Sequence, residues 1–293
     1  MGTALPGEGE SPKRDGVFIS VDMEGVAGVA HLLQVMRGTP EYERSCRWMT
    51  AETNAAIAGA RTAGATRFLV NDSHGDMRNL LLDELDPAAE VITGGDKPYS
   101  MGAGLDATFA AAFFIGYHAS IGTPRAIQDH TYGGRTIYDI RLNGKHQSEA
   151  TLNAALAGTY GVRTALITGD RACIEEAQQD LPGIEGVIVK EALTRMAARS
   201  LHPGEASRRI QEGAARALGQ LASRPLFQPK GPFILEIDWN NTLMADNCLD
   251  VPGVERVSGR TIRYQTDDYR AAYRMLLALL ALANPAAFQY PRP

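Results

Sequence analysis

The sequence predicts an α/β protein with a mainly parallel central sheet flanked by helices, followed by a smaller C-terminal α+β subdomain. Short apolar runs recur along the chain and end in polar residues, and helix-length segments lie between them. Such alternation is typical of βαβ units. After about residue 195 a long Ala- and Arg-rich helix and a proline-rich linker replace this pattern. We therefore divide the chain into a tail at 1–15, an α/β metal-binding catalytic domain at 16–195 and an α+β subdomain at 196–293.

In the first half of the chain, each element is bounded by a clear signal. Residues 1–15 are rich in glycine, proline and charge, which indicates a disordered tail and not a signal peptide. Thr39-Pro40-Glu41 is a helix start, with a capping residue, a proline at the first helical position and an acid near the positive end of the dipole. We predict strands at 17–21, 67–70, 90–93 and 111–115, a helix at 40–62 with Trp48, Ala51, Ala55 and Ala58 near one face, and a short helix at 77–85.

The second half begins with a long segment, 123–134, that has no periodicity and that we interpret as a functional loop. Asn143-Gly144 is a strong turn signal after an alternating segment. Ser258-Gly259 joins two further segments into a hairpin. We predict strands at 136–142, 164–168, 186–190, 233–237, 254–257 and 261–264, helices at 148–160, 170–179, 203–222 and 268–282, and a linker at 224–232.

The composition argues against several classes of protein. The net charge is -5, so no basic field favours nucleic acid. No apolar run is long enough to cross a bilayer, so no membrane partner is expected. Cys46, Cys173 and Cys248 are far apart and odd in number, which favours neither a disulfide framework nor a thiolate zinc site. These features predict a cytoplasmic globular protein.

Acids and histidines follow several of the predicted strands. Asp22 and Glu24 stand two positions apart after the first strand, so both side chains can face one ion. In an α/β protein, ligands gather outside the carboxyl ends of the strands. The residues of this kind at strand ends are Asp22, Glu24, Asp72, His74, Asp96, His118 and Asp170.

Four of these residues, with Glu149 as a fifth, are candidate metal ligands. Mixed carboxylate and imidazole sets suit Zn²⁺, Mn²⁺ or Fe²⁺. Five such ligands can hold two ions if one carboxylate bridges them. Each also has a structural interpretation: His74 in a turn, His118 in the core, and Glu149 as a partner of the helix dipole. We interpret Asp96 and Asp170 as structural, Asp170 as a helix cap. The four first-choice ligands are Asp22, Glu24, His74 and His118.

A set of short motifs resembles the zinc-dependent D-aminopeptidase family found beside bacterial dipeptide-transport operons. No single motif is specific, but the combination is, and it covers essentially everything after residue 15. The motifs are Ser20-Val21-Asp22-Met23-Glu24-Gly25, Val70-Asn71-Asp72-Ser73-His74, Lys97-Pro98 with Met101, Gly116-Tyr117-His118-Ala119, Gly122-Thr123-Pro124, Asp129-His130-Thr131, Glu149 with Leu152-Asn153, Met244-Ala245-Asp246 and Pro252-Gly253-Val254-Glu255-Arg256.

The resemblance implies a role for each matching residue. It makes Asp22 the carboxylate that bridges two zinc ions. It places Glu24 and His74 on one ion and His118 and Glu149 on the other. It also implies a homodecamer of two stacked pentameric rings around a channel that admits small peptides. His130 matches the position of the family's catalytic nucleophile. This chain departs from the family in one respect, because it carries an extra residue between Pro124 and His130.

The activity implied by the resemblance is hydrolysis of the amide bond that releases an N-terminal D-amino acid from a short peptide. Chemical reasoning leaves His130 open as nucleophile or as general acid or base. Two alternatives also stay open: a related hydrolase of L-peptides or other small amides, and a non-catalytic ring that binds metal or peptide. The surrounding pocket, with candidates Lys97, Tyr99, Met101 and Tyr132, would set the substrate.

Overall fold

The computed structural model describes residues 14–288, so most of the predicted tail lies outside the described residues. The described part contains six α-helices and twelve strands. The helices are α1 (Pro40–Thr62), α2 (Glu149–Thr159), α3 (Arg171–Asp180), α4 (Pro203–Gly219), α5 (Thr242–Asp246) and α6 (Tyr269–Ala283). The strands are β1 (Gly16–Val21), β2 (Arg67–Asp72), β3 (Ala89–Ile92), β4 (Phe109–Tyr117), β5 (Ile137–Leu142), β6 (Lys145–His146), β7 (Arg163–Asp170), β8 (Glu185–Thr194), β9 (Ala197–Ser200), β10 (Phe233–Trp239), β11 (Val254–Arg256) and β12 (Thr261–Thr266).

The central sheet has seven strands in the order β3-β2-β1-β4-β7-β8-β9. All neighbours are parallel except β8 and β9, so the predicted mainly parallel sheet is confirmed. β1 is buried along its whole length, as its continuous apolar sequence requires. The strand order reverses between β1 and β4, because β2 and β3 extend to one side and β7 and β8 to the other. A sheet of this kind opens a crevice at that switch point, outside the carboxyl ends of the strands.

A second, antiparallel sheet has the order β11-β12-β10-β5-β6. It contains the predicted hairpin of β11 and β12, and it takes β5 and β6 from the segment before residue 195. Asn143 and Gly144 join β5 to β6 with φ values of 52° and 76°, as the predicted two-residue turn demands. The division of the chain at residue 195 stays a prediction.

Helix α1 begins and ends where the sequence predicts. The Thr39 hydroxyl accepts a hydrogen bond from the Tyr42 amide, and Pro40 is the first helical residue. Of the four residues that the sequence places near one face, Ala55 is buried, Trp48 and Ala58 are half-buried and Ala51 is exposed. Helix α4 packs against α1. A side-chain Cβ at Gly59 would lie 2.1 Å from the Gln211 carbonyl oxygen, so the two helices approach closely there.

The predicted short helix at 77–85 is wrong, because this segment is an irregular loop. Met77 has a φ of 59°, which no α-helix accommodates. The Asp72 carboxylate accepts hydrogen bonds from the backbone amides of Asn79 and Leu80, and this replaces the helical pattern. Asp72, one of the strand-end acids, is therefore fully engaged in holding a loop.

Two further features concern the class of protein. Cys46, Cys173 and Cys248 are all buried, and none of them is in a disulfide. Within residues 14–288, no helix combines the length and the apolar character needed to span a bilayer.

Candidate metal centre

The carboxyl ends of three adjacent strands, β2, β1 and β4, meet at one buried cluster of acids and histidines. The first residue of α2 and the loop after β4 complete it. All five predicted ligands lie here, as does the predicted catalytic histidine. The members are Asp22, Glu24, His74, His118, Glu149 and His130, of which only the His130 side chain is appreciably exposed, at 20%.

A tight turn after β1 carries the two acids to the cluster. The Asp22 amide donates to the Ile115 carbonyl at 2.8 Å, and the Gly25 amide donates to the Gly116 carbonyl at 2.8 Å. A Cβ at Gly25 would lie 1.9 Å from the Tyr117 carbonyl oxygen, so only glycine permits this approach. The turn therefore rests directly on the end of β4 and points both carboxylates into the crevice.

His74 is oriented by a backbone carbonyl. Its Nε2 lies 3.0 Å from the Val35 carbonyl oxygen, which can only accept, so Nε2 carries the proton. The opposite nitrogen, Nδ1, faces Asp22 Oδ1 at 3.1 Å and Glu24 Oε2 at 2.9 Å. A neutral His74 thus turns its lone pair toward two carboxylates, an arrangement that requires either a second proton or a cation between them.

His118 repeats this arrangement on the other side of Asp22. Its Nδ1 lies 3.0 Å from the Ala119 carbonyl oxygen, which leaves Nε2 as the free nitrogen. Nε2 is buried without a hydrogen-bond partner, 3.4 Å from Asp22 Oδ2 and 3.5 Å from Glu149 Oε2. Ligands about 2.0–2.1 Å from one tetrahedral zinc lie roughly 3.3–3.4 Å apart. The orphaned nitrogen and its oxygen neighbours therefore fit a zinc ion.

Glu149 serves two functions that the sequence could not separate. It is the first residue of α2, after the Ser148 cap, where an acid complements the helix dipole. Its Oε1 accepts a hydrogen bond from the Tyr132 amide at 2.6 Å, and its Oε2 faces His118. The same carboxylate thus lies at the start of the helix and lines the cluster.

His130 lies at the solvent side of the cluster. Its Nδ1 lies 2.8 Å from the Gln128 carbonyl oxygen, so its Nε2 also has a free lone pair. Nε2 is 4.0 Å from Glu149 Oε1, and the ring stacks on His118. His130 is thus a third imidazole with a backbone-fixed tautomer, and the only one that solvent reaches.

Two overlapping groups in the described residues have ligand atoms that all lie within 4.8 Å of one another. The first group is Asp22, Glu24 and His118, and the second is His118, His130 and Glu149.

Burial and the neighbouring Glu24 raise the pKa of Asp22. Burial alone would raise the pKa of Glu24, but His74 lowers it well below its usual value. Burial alone would also lower the pKa values of His74 and His118, but the acids raise both well above normal. A metal ion would compete with protons for these same ligand atoms, because ligands bind a metal in their deprotonated form.

The cluster opens into a cavity of about 130 Å³, room for only a small group. Met101 and Tyr132, two of the predicted pocket residues, line it, whereas Lys97 contacts the Asp72 carbonyl behind it. Tyr99 and Ser100 have φ values of 60° and 47°, a conformation uncommon outside glycine that is concentrated at functional sites. The lining residues beyond the cluster are Ser73, Gly75, Met77, Ser100, Met101 and Tyr132.

The remaining predicted candidates lie outside the cluster. Asp170 caps α3 by accepting from the Cys173 amide at 2.8 Å, as predicted. Asp96 is exposed.

Sequence reasoning missed Lys190, a residue of β8 whose side chain supports the turn that carries Asp22 and Glu24. The only signal was a lysine at the end of an apolar strand, which does not distinguish a buried side chain from an exposed one.

Comparisons with known proteins identify relatives over most of the chain. Residues 16–278 match the model of the Peptidase M55 family, which is described as D-aminopeptidase. The chain is 37% identical over 276 residues to a D-aminopeptidase of Bacillus subtilis strain 168, covering 93% of this chain and 99% of the relative. It also resembles the solved structure of the Zn-dependent D-aminopeptidase DppA from Bacillus subtilis, described as a self-compartmentalizing protease. That match has a TM-score of 0.89 and 35% identity, and it covers 92% of this chain and 98% of the other.

Proposed function

The chain belongs to the Peptidase M55 family of D-aminopeptidases, and from that premise we propose that it hydrolyses the amide bond that links an N-terminal D-amino acid to a short peptide. The observation that carries this proposal is the unpartnered, buried His118 Nε2 between two carboxylates. A nitrogen left in that state is costly unless a proton or a metal ion occupies the space between it and the carboxylates. The site is thus built for a metal, as a zinc-dependent peptidase requires.

We propose that the centre would hold two zinc ions and that Asp22 would serve both as the bridging carboxylate. Asp22 directs Oδ1 to His74 at 3.1 Å and Oδ2 to His118 at 3.4 Å, so it reaches the two histidines that would hold the two ions. Glu24 and His74 would hold the first ion, and His118 and Glu149 the second. Mn²⁺ or Fe²⁺ could substitute, because carboxylate and imidazole ligands suit these ions as well.

When bound, the zinc ions supply a polarised carbonyl and a water of lowered pKa. The residues of the chain orient and exchange protons around that water. His130, the one imidazole of the cluster that solvent reaches, presents its free Nε2 to the cavity and is the catalytic residue that we propose. As a nucleophile it would attack the carbonyl carbon, the C–N bond would break to release the protonated amine, and water would hydrolyse the resulting acyl-imidazole. As a general base it would accept the proton of the attacking water and pass it to the amine as the C–N bond breaks. The Tyr132 amide fixes the Glu149 carboxylate at 2.6 Å and so keeps one side of the site rigid.

A comparison of three substrates tests the proposed activity. The zinc-loaded protein is incubated with D-Ala-D-Ala, with L-Ala-L-Ala and with D-alaninamide, and the released amine is quantified. We expect cleavage of D-Ala-D-Ala with little cleavage of the L-dipeptide. Equal cleavage of the L-dipeptide, or of simple amides alone, would support the alternative hydrolase. Tight zinc binding with no hydrolysis of any substrate would favour a non-catalytic binding protein.

We also propose that the chain forms a homo-oligomer, a decamer of two pentameric rings, in the cytoplasm. The description of the solved relative as self-compartmentalizing supports an assembly that encloses its active sites. Light scattering coupled to size exclusion should give a mass near ten times the 31.5 kDa of one chain. A monomeric mass at micromolar concentration would contradict the assembly without affecting the proposed chemistry.

A further inference from the structure

Lys190 is a buried lysine whose side chain reaches from β8 to the turn after β1. Its exposed fraction is 2%. Nζ donates to the carbonyl oxygens of Val26 at 2.8 Å and Val29 at 2.6 Å, and also to the carbonyl of Glu24. An ammonium group has three donors, so these three carbonyls use all of them. The group thus resembles a small cation held by main-chain oxygens.

Two other side chains secure the same turn. Glu52 of α1 accepts from the Ala27 amide at 2.8 Å, and Ser200 accepts from the Gly28 amide at 2.8 Å. Ser200 of β9 is the pairing partner of Lys190 of β8. The contacts that these two residues make with the turn therefore come from adjacent positions of the sheet. The segment from Glu24 to Val29 is therefore fixed by side chains at three carbonyls and two amides, although it has no regular secondary structure.

The chemistry of this contact explains why a lysine is needed. The Val26 carbonyl also accepts from the Val29 amide at 3.1 Å, but the carbonyl oxygens of Glu24 and Val29 depend on Lys190, and an apolar side chain of similar length cannot serve them. A buried ammonium is itself unfavourable unless its hydrogen bonds are complete. A lysine meets both requirements, because its three donors satisfy the carbonyl oxygens and the carbonyl oxygens complete the hydrogen bonds of the buried ammonium. One of the three carbonyls belongs to Glu24, a proposed zinc ligand.

We infer that Lys190 is a positioning residue for the metal centre: by fixing the carbonyls of Glu24, Val26 and Val29, it sets the turn that presents the Asp22 and Glu24 carboxylates and thereby the affinity for zinc. This inference rests on the proposed zinc site. Contacts that orient a ligand typically change metal affinity by about ten- to hundredfold when they are removed.

The test compares Lys190→Met with the wild-type protein and with Lys145→Met. The methionine variant keeps the length of the stem but loses every donor. Lys145 is an exposed lysine that pairs with Asp180, so its replacement is a matched control. Zinc affinity and stoichiometry are measured by competition with a chromogenic chelator, and folding by far-UV circular dichroism. The visible spectrum of bound Co²⁺ reports the geometry of the ligands.

We expect Lys190→Met to be folded, to bind zinc about tenfold to a hundredfold more weakly, and to give an altered Co²⁺ spectrum. Lys145→Met should match the wild type. Unchanged affinity and spectrum in Lys190→Met would overturn the inference, and so would an unfolded Lys190→Met together with an unfolded Lys190→Gln, since Lys190 would then serve the fold as a whole. A wild-type protein that binds no zinc would instead refute the proposed metal site itself, so the two failures are distinguishable.

Discussion

His118 and His130 stack face to face, with ring centroids 4.0 Å apart and an angle of 11° between their planes. The stack joins a buried imidazole, which fits a zinc ligand, to one that solvent reaches. Each ring also donates its Nδ1 proton to a nearby backbone carbonyl, so both Nε2 atoms keep a free lone pair. Under the proposed function, the pair would separate two tasks between adjacent rings: holding a metal, and handling the substrate or its water.

This division predicts the behaviour of His130→Ala. We expect the variant to retain its bound zinc, because the five other residues of the centre stay in place. Its kcat should fall by about 10²–10⁴, the usual contribution of a positioned acid or base. Zinc content by atomic absorption and steady-state hydrolysis of D-Ala-D-Ala measure the two effects.

The exposed His146, which lies on β6 away from the cluster, provides the control variant His146→Ala. Loss of zinc in His130→Ala would instead assign His130 to metal binding. The pH profile separates the two chemical roles, because near-wild-type activity with only a shifted profile would exclude the nucleophile.

Removal of individual ligands should have graded effects on zinc content. His74→Ala and His118→Ala should each lose one equivalent, since each removes a ligand from a different proposed ion. Asp22→Ala should lose both, because its two oxygens face the two histidines. The measurement is zinc per chain after dialysis against a weak chelator. Equal losses in all three variants would argue against the bridging role of Asp22.

Gly25 should not accept even one methyl group. In Gly25→Ala the new Cβ would lie 1.9 Å from the Tyr117 carbonyl oxygen, so the turn must move away from β4. We expect a loss of about 1–3 kcal/mol in the free energy of unfolding, typical of overpacking, together with weaker zinc binding. Gly219→Ala is the matched control, as no atom lies within 4 Å of its Cβ position. Similar urea denaturation midpoints for the two variants would contradict the steric account.

Glu52 should make stability depend on pH near neutrality. Its burial raises its pKa from 4.5 to about 7, although the Ala27 amide and Lys190 oppose the shift. Because the pKa of Glu52 is higher in the folded protein than in the unfolded chain, the contribution of its protonated carboxyl to stability is fully present below the pKa of the unfolded chain. This contribution is lost as pH rises through the pKa of the folded protein. Between pH 5 and 8 the metal-free wild type should therefore lose stability relative to Glu52→Gln, by about 2–3 kcal/mol. Chemical denaturation of both proteins at the two pH values checks this, and a constant difference would refute it.

The sequence was informative where local rules decide the outcome. Thr39 and Pro40 define the start of α1, and the acids after the first strand predict an ion site because parallel strands end at one edge. It failed where a distant group decides. The loop at 77–85 is held by the Asp72 carboxylate at the end of β2. No local pattern reveals that Lys190 is buried, since its three acceptors come from a turn over 160 positions earlier.

The centre draws its side chains from the ends of three strands and the start of α2, positions that lie far apart along the chain. An ion shared among them would act as a reversible cross-link. It closes long loops between Asp22, His74, His118 and Glu149, and it binds only the folded chain, so the stabilisation grows with the logarithm of the free zinc concentration. The resistance of this protein to unfolding would therefore follow the zinc supply around it, and zinc depletion would weaken the fold as well as stop hydrolysis.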